Sequence, residues 1–162
     1  MPTVPTDEIY EKYLQKAQDE FRELGAEIQE GVAFYGRSGQ AILKSLQRLR
    51  VDPMAIYGTN CLKFAGGDED EAKPWLAREV HIVQPKLVVV MGEPALEFLH
   101  SVEFPLSEPL QAELGTVQPF TPTIEALHVP DIDDSLDEQP AKTRFWNAFK
   151  ALGPWWAELP PY

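Results

Sequence analysis

Phe34-Tyr35-Gly36-Arg37-Ser38-Gly39 stands immediately before a stretch of helical periodicity. Gly36 and Gly39 allow close backbone approach, Arg37 adds positive charge, and a helix start favours an anion. The spacing matches neither a P-loop nor a dinucleotide fingerprint, and a glycine turn before a helix cap accounts for it at least as well. Phe34 suits a core position as readily as a stacking platform. Asn60 ends a candidate strand, and its carboxamide can both donate to and accept from a base edge. An ordinary turn asparagine is the plainer account of it. His128 closes the last candidate strand, ahead of Val129-Pro130-Asp131. A neutral imidazole there could donate to a developing oxyanion, or could simply pack at a strand end. Asp131, Asp133, Asp134 and Asp137 follow it as an acidic loop. Paired carboxylates can do acid–base work, but this spacing completes no calcium loop and a solvated loop explains it. His81 and His100 fall in or near helices and read as structural. The histidines lack ligand spacing, so no metal is expected.

These residues need elements to position them. Thr6 can cap a helix over 7–24, with Ile9, Tyr13, Ala17, Phe21 and Leu24 at helical spacing and Gly25 at its end. Ser38 can cap a second helix, running to about Arg50. Asp52-Pro53 breaks the chain, and 55–62 reads as a strand. An acidic loop over 65–71 precedes a helix over 74–83 with Pro74 at its first position. Residues 86–91 form an apolar run bounded by Pro85 and Gly92, the pattern of a buried parallel strand. A helix over 93–100 follows, then a proline-rich loop over 101–122 with a short hairpin, and a strand over 123–129. The acidic loop over 130–139 leads to a helix over 141–152 and an aromatic tail at Trp155-Trp156, which should pack rather than stand exposed. Strands alternating with helices indicate a parallel α/β sheet whose sites lie at the carboxyl ends of the strands. That rule singles out Asn60 and Cys61, then Gly92 and Glu93, then His128 and Asp131.

The chain has 162 residues, enough for one domain with a small appendage. Hydrophobic residues at 44% and charged residues at 25% exclude a mainly disordered or collagen-like chain. The longest apolar run is Leu87 to Met91, far short of a bilayer span, and the first residues lack a signal-peptide pattern. A cytoplasmic protein that avoids membranes is expected. Fourteen basic against 26 acidic residues give a net charge of −12, which should repel nucleic acid overall. The charge is uneven. Residues 31–50 carry Arg37, Lys44, Arg48 and Arg50 and no acid, so an anionic ligand belongs there if anywhere. A solvated helix face with cations near its C-terminal dipole explains most of this.

Taken in order, Gly31 to Gln40, Ile56 to Lys63 and Ala72 to Gly92 resemble three blocks of the uracil-DNA glycosylase superfamily. The likeness is closest to its thermophilic and bacterial iron–sulfur branch. The first block is similar to that branch's Pro-Phe-Val-Gly-Arg-Ala-Gly segment. The second is similar to its strand ending in Thr-Asn. The third is similar to its helix, Arg-Pro-Lys turn and following strand. The resemblance runs from about Gly31 to Leu152 and implies a three-layer α/β fold, a parallel sheet flanked by helices. It divides the chain into a glycosylase-like domain over 31–162 and an atypical helical segment over 1–30.

The resemblance also implies roles. Phe34 would stack on a flipped uracil, Asn60 would read its polar edge, and His128 would stabilise the departing base. Gly36, Arg37 and Gly39 would face the DNA backbone. Departures accompany these matches. The family's Gly-Glu-x-Pro-Gly segment, which ends its first strand and positions the water, has no counterpart. Glu27 and Glu30 lie nearby in sequence but outside any such motif. The first strand is therefore missing or replaced, with an extra N-terminal helix in its stead. The closing His-Pro-Ser motif is reduced to His128-Val129-Pro130-Asp131. Cys61 is the single cysteine and cannot hold a cluster that needs four thiolates, so no cofactor is expected. The expected partner is uracil-containing DNA, with a protein partner or a second copy at an exposed sheet edge as a further expectation. The rival reading keeps the fold as a non-catalytic nucleic-acid-binding or structural module.

Overall fold

The computed structural model describes residues 36–61 and 68–160. The expected helix over 7–24, the replacement of a first strand and Phe34 lie outside the described residues.

Helix α1 (Arg37–Arg48) opens at Gly36, whose carbonyl accepts the Gln40 N–H at 2.8 Å. Ser38 does not cap it as expected. It lies one turn-position inside, buried, and its hydroxyl donates to the Asp133 carboxylate. A 3₁₀ turn (Pro53–Ala55) follows, with the Asp52 carboxylate accepting the Met54 N–H at 2.9 Å. It consumes the start of the strand expected over 55–62, and residues 56–60 pair with no strand among the described residues. The Asp52-Pro53 start favours a helical turn. Side-chain bonds, described below, then replace ladder bonds.

Helix α2 (Glu69–Val83) begins earlier than expected. Asp68 caps it by accepting the Asp70 N–H at 2.9 Å, so Pro74 lies inside the helix rather than at its first position. This close to the start, the proline deletes only the bond to the Asp70 carbonyl. Gln84 ends the helix in left-handed conformation at φ 48°, and Pro85 prevents its return.

Strand β1 (Leu87–Met91) leads into α3 (Glu93–Ser101), and β2 (Val117–Pro119) and β3 (Glu125–Val129) follow. The sheet order is β1-β3-β2. β1 and β3 run parallel, with Leu87 opposite Glu125 and Val90 opposite His128. β2 pairs antiparallel with β3, with Val117 opposite Leu127. The sheet is thus mixed rather than wholly parallel, because the short link from Pro119 to Glu125 can only turn the chain back. At the outer edge the Gln118 side chain accepts the Gln111 N–H at 2.7 Å and donates to the Gln111 carbonyl at 3.1 Å. A second 3₁₀ turn (Asp133–Ser135) precedes α4 (Gln139–Phe149) and α5 (Leu152–Ala157). The single helix expected over 141–152 is therefore two.

Alternation along the strands divides the core. Leu127 and Val129 pack with Leu46 of α1, with Phe145, Ala148 and Phe149 of α4, and with Leu152 of α5. Val90 and Ala126 pack on the opposite face with Ala72 and Leu76 of α2 and Leu96 and Leu99 of α3. Three layers result. Trp155 and Trp156 pack against the α4 side, and the Trp155 indole donates to Glu125 at 3.0 Å, as expected of a packed tail. No described helix is long and apolar enough to cross a membrane.

Candidate functional site

The carboxyl ends of β1 and β3 are joined closely. Gly92 follows β1 at φ 89° and ψ 158°, a region essentially confined to glycine, and its N–H donates to the Val129 carbonyl at 2.8 Å. A Cβ on Gly92 would stand 3.2 Å from the Asp131 Cβ. Asp131 is therefore held against the start of α3. Its carboxylate accepts the Asp133 N–H at 3.0 Å, and its carbonyl accepts the Ser135 hydroxyl at 2.7 Å. Burial pushes the Asp131 carboxyl above the usual range, with the Asp133 and Asp134 charges adding, against the pull of the Asp133 N–H.

The acidic loop is not merely solvated. Asp133 takes the Ser38 hydroxyl, and Asp137 pairs with Arg37 at 2.6 Å. The hydrogen bond and charge of Arg37 hold the exposed Asp137 carboxyl below its ordinary range. Two carboxylates thus meet the first turn of α1, where its dipole favours negative charge. Gly36, Arg37, Ser38 and Gly39 are thereby brought onto the loop that follows His128, although 95 residues separate Ser38 from Asp133.

His128 is the penultimate residue of β3 and only 2% exposed. Alternation puts it on the α2–α3 face, the side of Ala126. Its Nδ1 lies 3.0 Å from the Ala112 carbonyl oxygen. A carbonyl can only accept, so the ring proton is at Nδ1 and a neutral ring presents Nε2 as an acceptor. That reverses the expected neutral donor. Nε2 is buried and has no hydrogen-bond partner among the described residues.

Asn60 is exposed at the end of an irregular segment. The Tyr57 and Thr59 hydroxyls both donate to Glu79 Oε2 at 2.7 Å, fastening that segment to α2. The bond to Glu79 also pushes the Tyr57 phenol up. Cys61 packs against the α2–α3 core, so the Asn60 segment reaches the same layer as His128. His100 is structural as expected, its Nε2 accepting the Leu110 N–H at 3.0 Å.

Sequence reasoning passed over Glu79, for which no pattern signals a tether, and, although the strand-end rule singled out Asp131, it read the turn there as solvated. The Asp-x-Asp spacing at 131 and 133 is an Asx-turn signal that could have flagged it. One thiol does not fit an iron–sulfur cluster, and among the described residues no three His, Cys, Asp or Glu side chains converge as a metal site would need. No curated protein matches the chain. The family model of the uracil DNA glycosylase superfamily, however, matches residues 22–150, spanning both the α1 start and the segment through His128 and its loop. Since that match covers most of the sequence and its helices flank a small sheet, the chain belongs to the uracil-DNA glycosylase superfamily.

Proposed function

We propose that the protein excises uracil from DNA by hydrolysing the N-glycosidic bond of a flipped nucleotide. The observation that carries this reading is the docking of Arg37 and Ser38 onto the loop after His128, which draws two family segments to one sheet edge. In it, Phe34 stacks on the base and Asn60 reads its edge. Gly36, Arg37 and Gly39 face the backbone. The bond between the base and C1′ breaks with its electron pair leaving on uracil. His128, which takes a second proton from solvent at Nε2 before the bond breaks, donates from Nε2 to that charge while Nδ1 keeps its bond to the Ala112 carbonyl. Asp131, held at the carboxyl end of the strands against the start of α3, receives the proton of the attacking water, the task for which the N-terminal motif is missing.

Incubation with single- and double-stranded uracil oligonucleotides should leave alkali-labile abasic sites, and Asn60→Ala should abolish most of them. Absence of product from the wild-type protein would refute the reading. A second reading, the fold kept for binding without cleavage, is favoured by the burial of His128 Nε2 and its acceptor state. Salt-sensitive oligonucleotide binding without product would establish it.

Asp131→Asn separates catalysis from stability. A carboxyl raised in the folded state contributes stability below its unfolded pKa and loses it as pH rises through its folded pKa. At neutral pH the ionised group works against the fold. Asparagine can still accept the Asp133 N–H, so the variant should melt higher than wild type at pH 7, with the gain vanishing in acid. Excision should nevertheless fall about 100-fold. Unchanged excision would remove Asp131 from the mechanism.

A further inference from the structure

A groove of about 600 Å³ runs between α1 and α4. Arg37, Lys44 and Arg48 line one wall and Lys142 and Trp146 the other, and no acid lines it. In a chain with 26 acids and 14 bases this is a strong local excess. The three cations of α1 are spaced by seven and four residues, so they share one stripe that spans ~16 Å of helix rise.

Helix stability does not explain the placement. Arg48, in the last turn of α1, gains from the helix dipole, but Arg37 is the first residue of α1 and Lys142 lies in the first turn of α4. At those ends a cation is disfavoured. Lys44 forms no ion pair with any described residue. The Arg48 guanidinium is fixed 4.1 Å over the Trp146 ring, which reduces the freedom it would lose on meeting a ligand. At the mouth, Asp137 pairs with Arg37 and is drawn down by Lys142 as well, so a carboxylate already occupies a place built for negative charge.

We propose that this groove holds the phosphate backbone of one DNA strand as it leaves the carboxyl edge of the sheet. The inference rests on the reading that DNA is the substrate, and it assigns the strand's path along α1. A single stripe of cations along one helix matches the backbone of one strand, and the Arg48 guanidinium, held over Trp146 at the far end of that stripe, is oriented to meet a phosphate.

The test uses the full chain and a fluorescent oligothymidylate without uracil, so that binding is read apart from cleavage. Binding should weaken steeply with salt. Lys44→Gln combined with Arg48→Gln should reduce affinity about tenfold and lower the salt slope by ~1.4, at roughly 0.7 per lost single-strand contact. Asp137→Asn should tighten binding. Circular dichroism should match wild type, and melting should shift only by the small loss of the Arg48–Trp146 contact or of the Arg37–Asp137 pair, since all three side chains are exposed. No wild-type binding at low salt, or binding indifferent to these substitutions, overturns the groove. Polyglutamate binding as tightly as the oligonucleotide overturns DNA as its occupant in favour of an acidic protein. Uracil excision with groove-indifferent binding leaves the proposed activity standing and removes the groove. Groove-dependent binding without excision does the reverse.

Discussion

Replacing His128 with alanine is expected to slow uracil excision by about 10²–10³-fold, the cost of removing one donor from a developing oxyanion. Departing uracil carries a full negative charge, and an imidazolium would meet it with a charge-assisted hydrogen bond in a site shielded from water. The Ala112 carbonyl makes this an imidazolium task, because in the neutral ring the only proton is spent on that carbonyl. ¹⁵N spectra of the imidazole should therefore show the neutral ring protonated at Nδ1. A ring protonated at Nε2 would instead restore direct donation by the neutral form. Stability should move far less than rate. The substitution orphans the Ala112 carbonyl, but it also deletes a buried nitrogen with no partner among the described residues, and these changes oppose one another. Equal losses in melting temperature and activity would mean that His128 only packs.

Phe149→Ala should produce the largest loss of stability, about 3–5 kcal/mol. Phe149 is 2% exposed and stacks on Phe145 with ring centroids 5.2 Å apart. Its cluster joins α1, α4 and α5 to the β1–β3 pair, so little can collapse into the space left behind. Against a typical total of ~5–15 kcal/mol, the variant should be largely unfolded at modest denaturant concentration. The shift of the denaturation midpoint measures this directly. Because the same cluster fixes α1 beside α4, the pairing of Arg37 with Asp137 should loosen before global unfolding. A loss below about 1 kcal/mol would show that the ring is not the keystone of this layer.

Much of the fold was legible because it rests on local signals. Leu87 to Met91, bounded by Pro85 and Gly92, is a strand wherever it is placed, and the alternation around Leu127 and Val129 defines two faces. What misled was local chemistry with more than one outcome. Pro74 suits a helix start, yet Asp68 offered an earlier cap. Ser38 suits a cap, yet its hydroxyl found a tertiary carboxylate. For the site, residue types pointed to Asn60 and His128, but not to what holds them. Neither the Ala112 carbonyl nor the Glu79 tether has any sequence signature, since both arise from contacts made only after the chain closes. Asp131 was singled out at its strand end but read as solvated, for the same reason: it packs against Gly92, distant in sequence and without a side chain.

The Gln118 amide, bonded to both backbone groups of Gln111, imitates the next strand of the sheet, and Pro119 beside it has no N–H to offer. Both features blunt that rim, so a concentrated, partly unfolded sample should aggregate through its apolar layers more readily than by extending this side of the sheet.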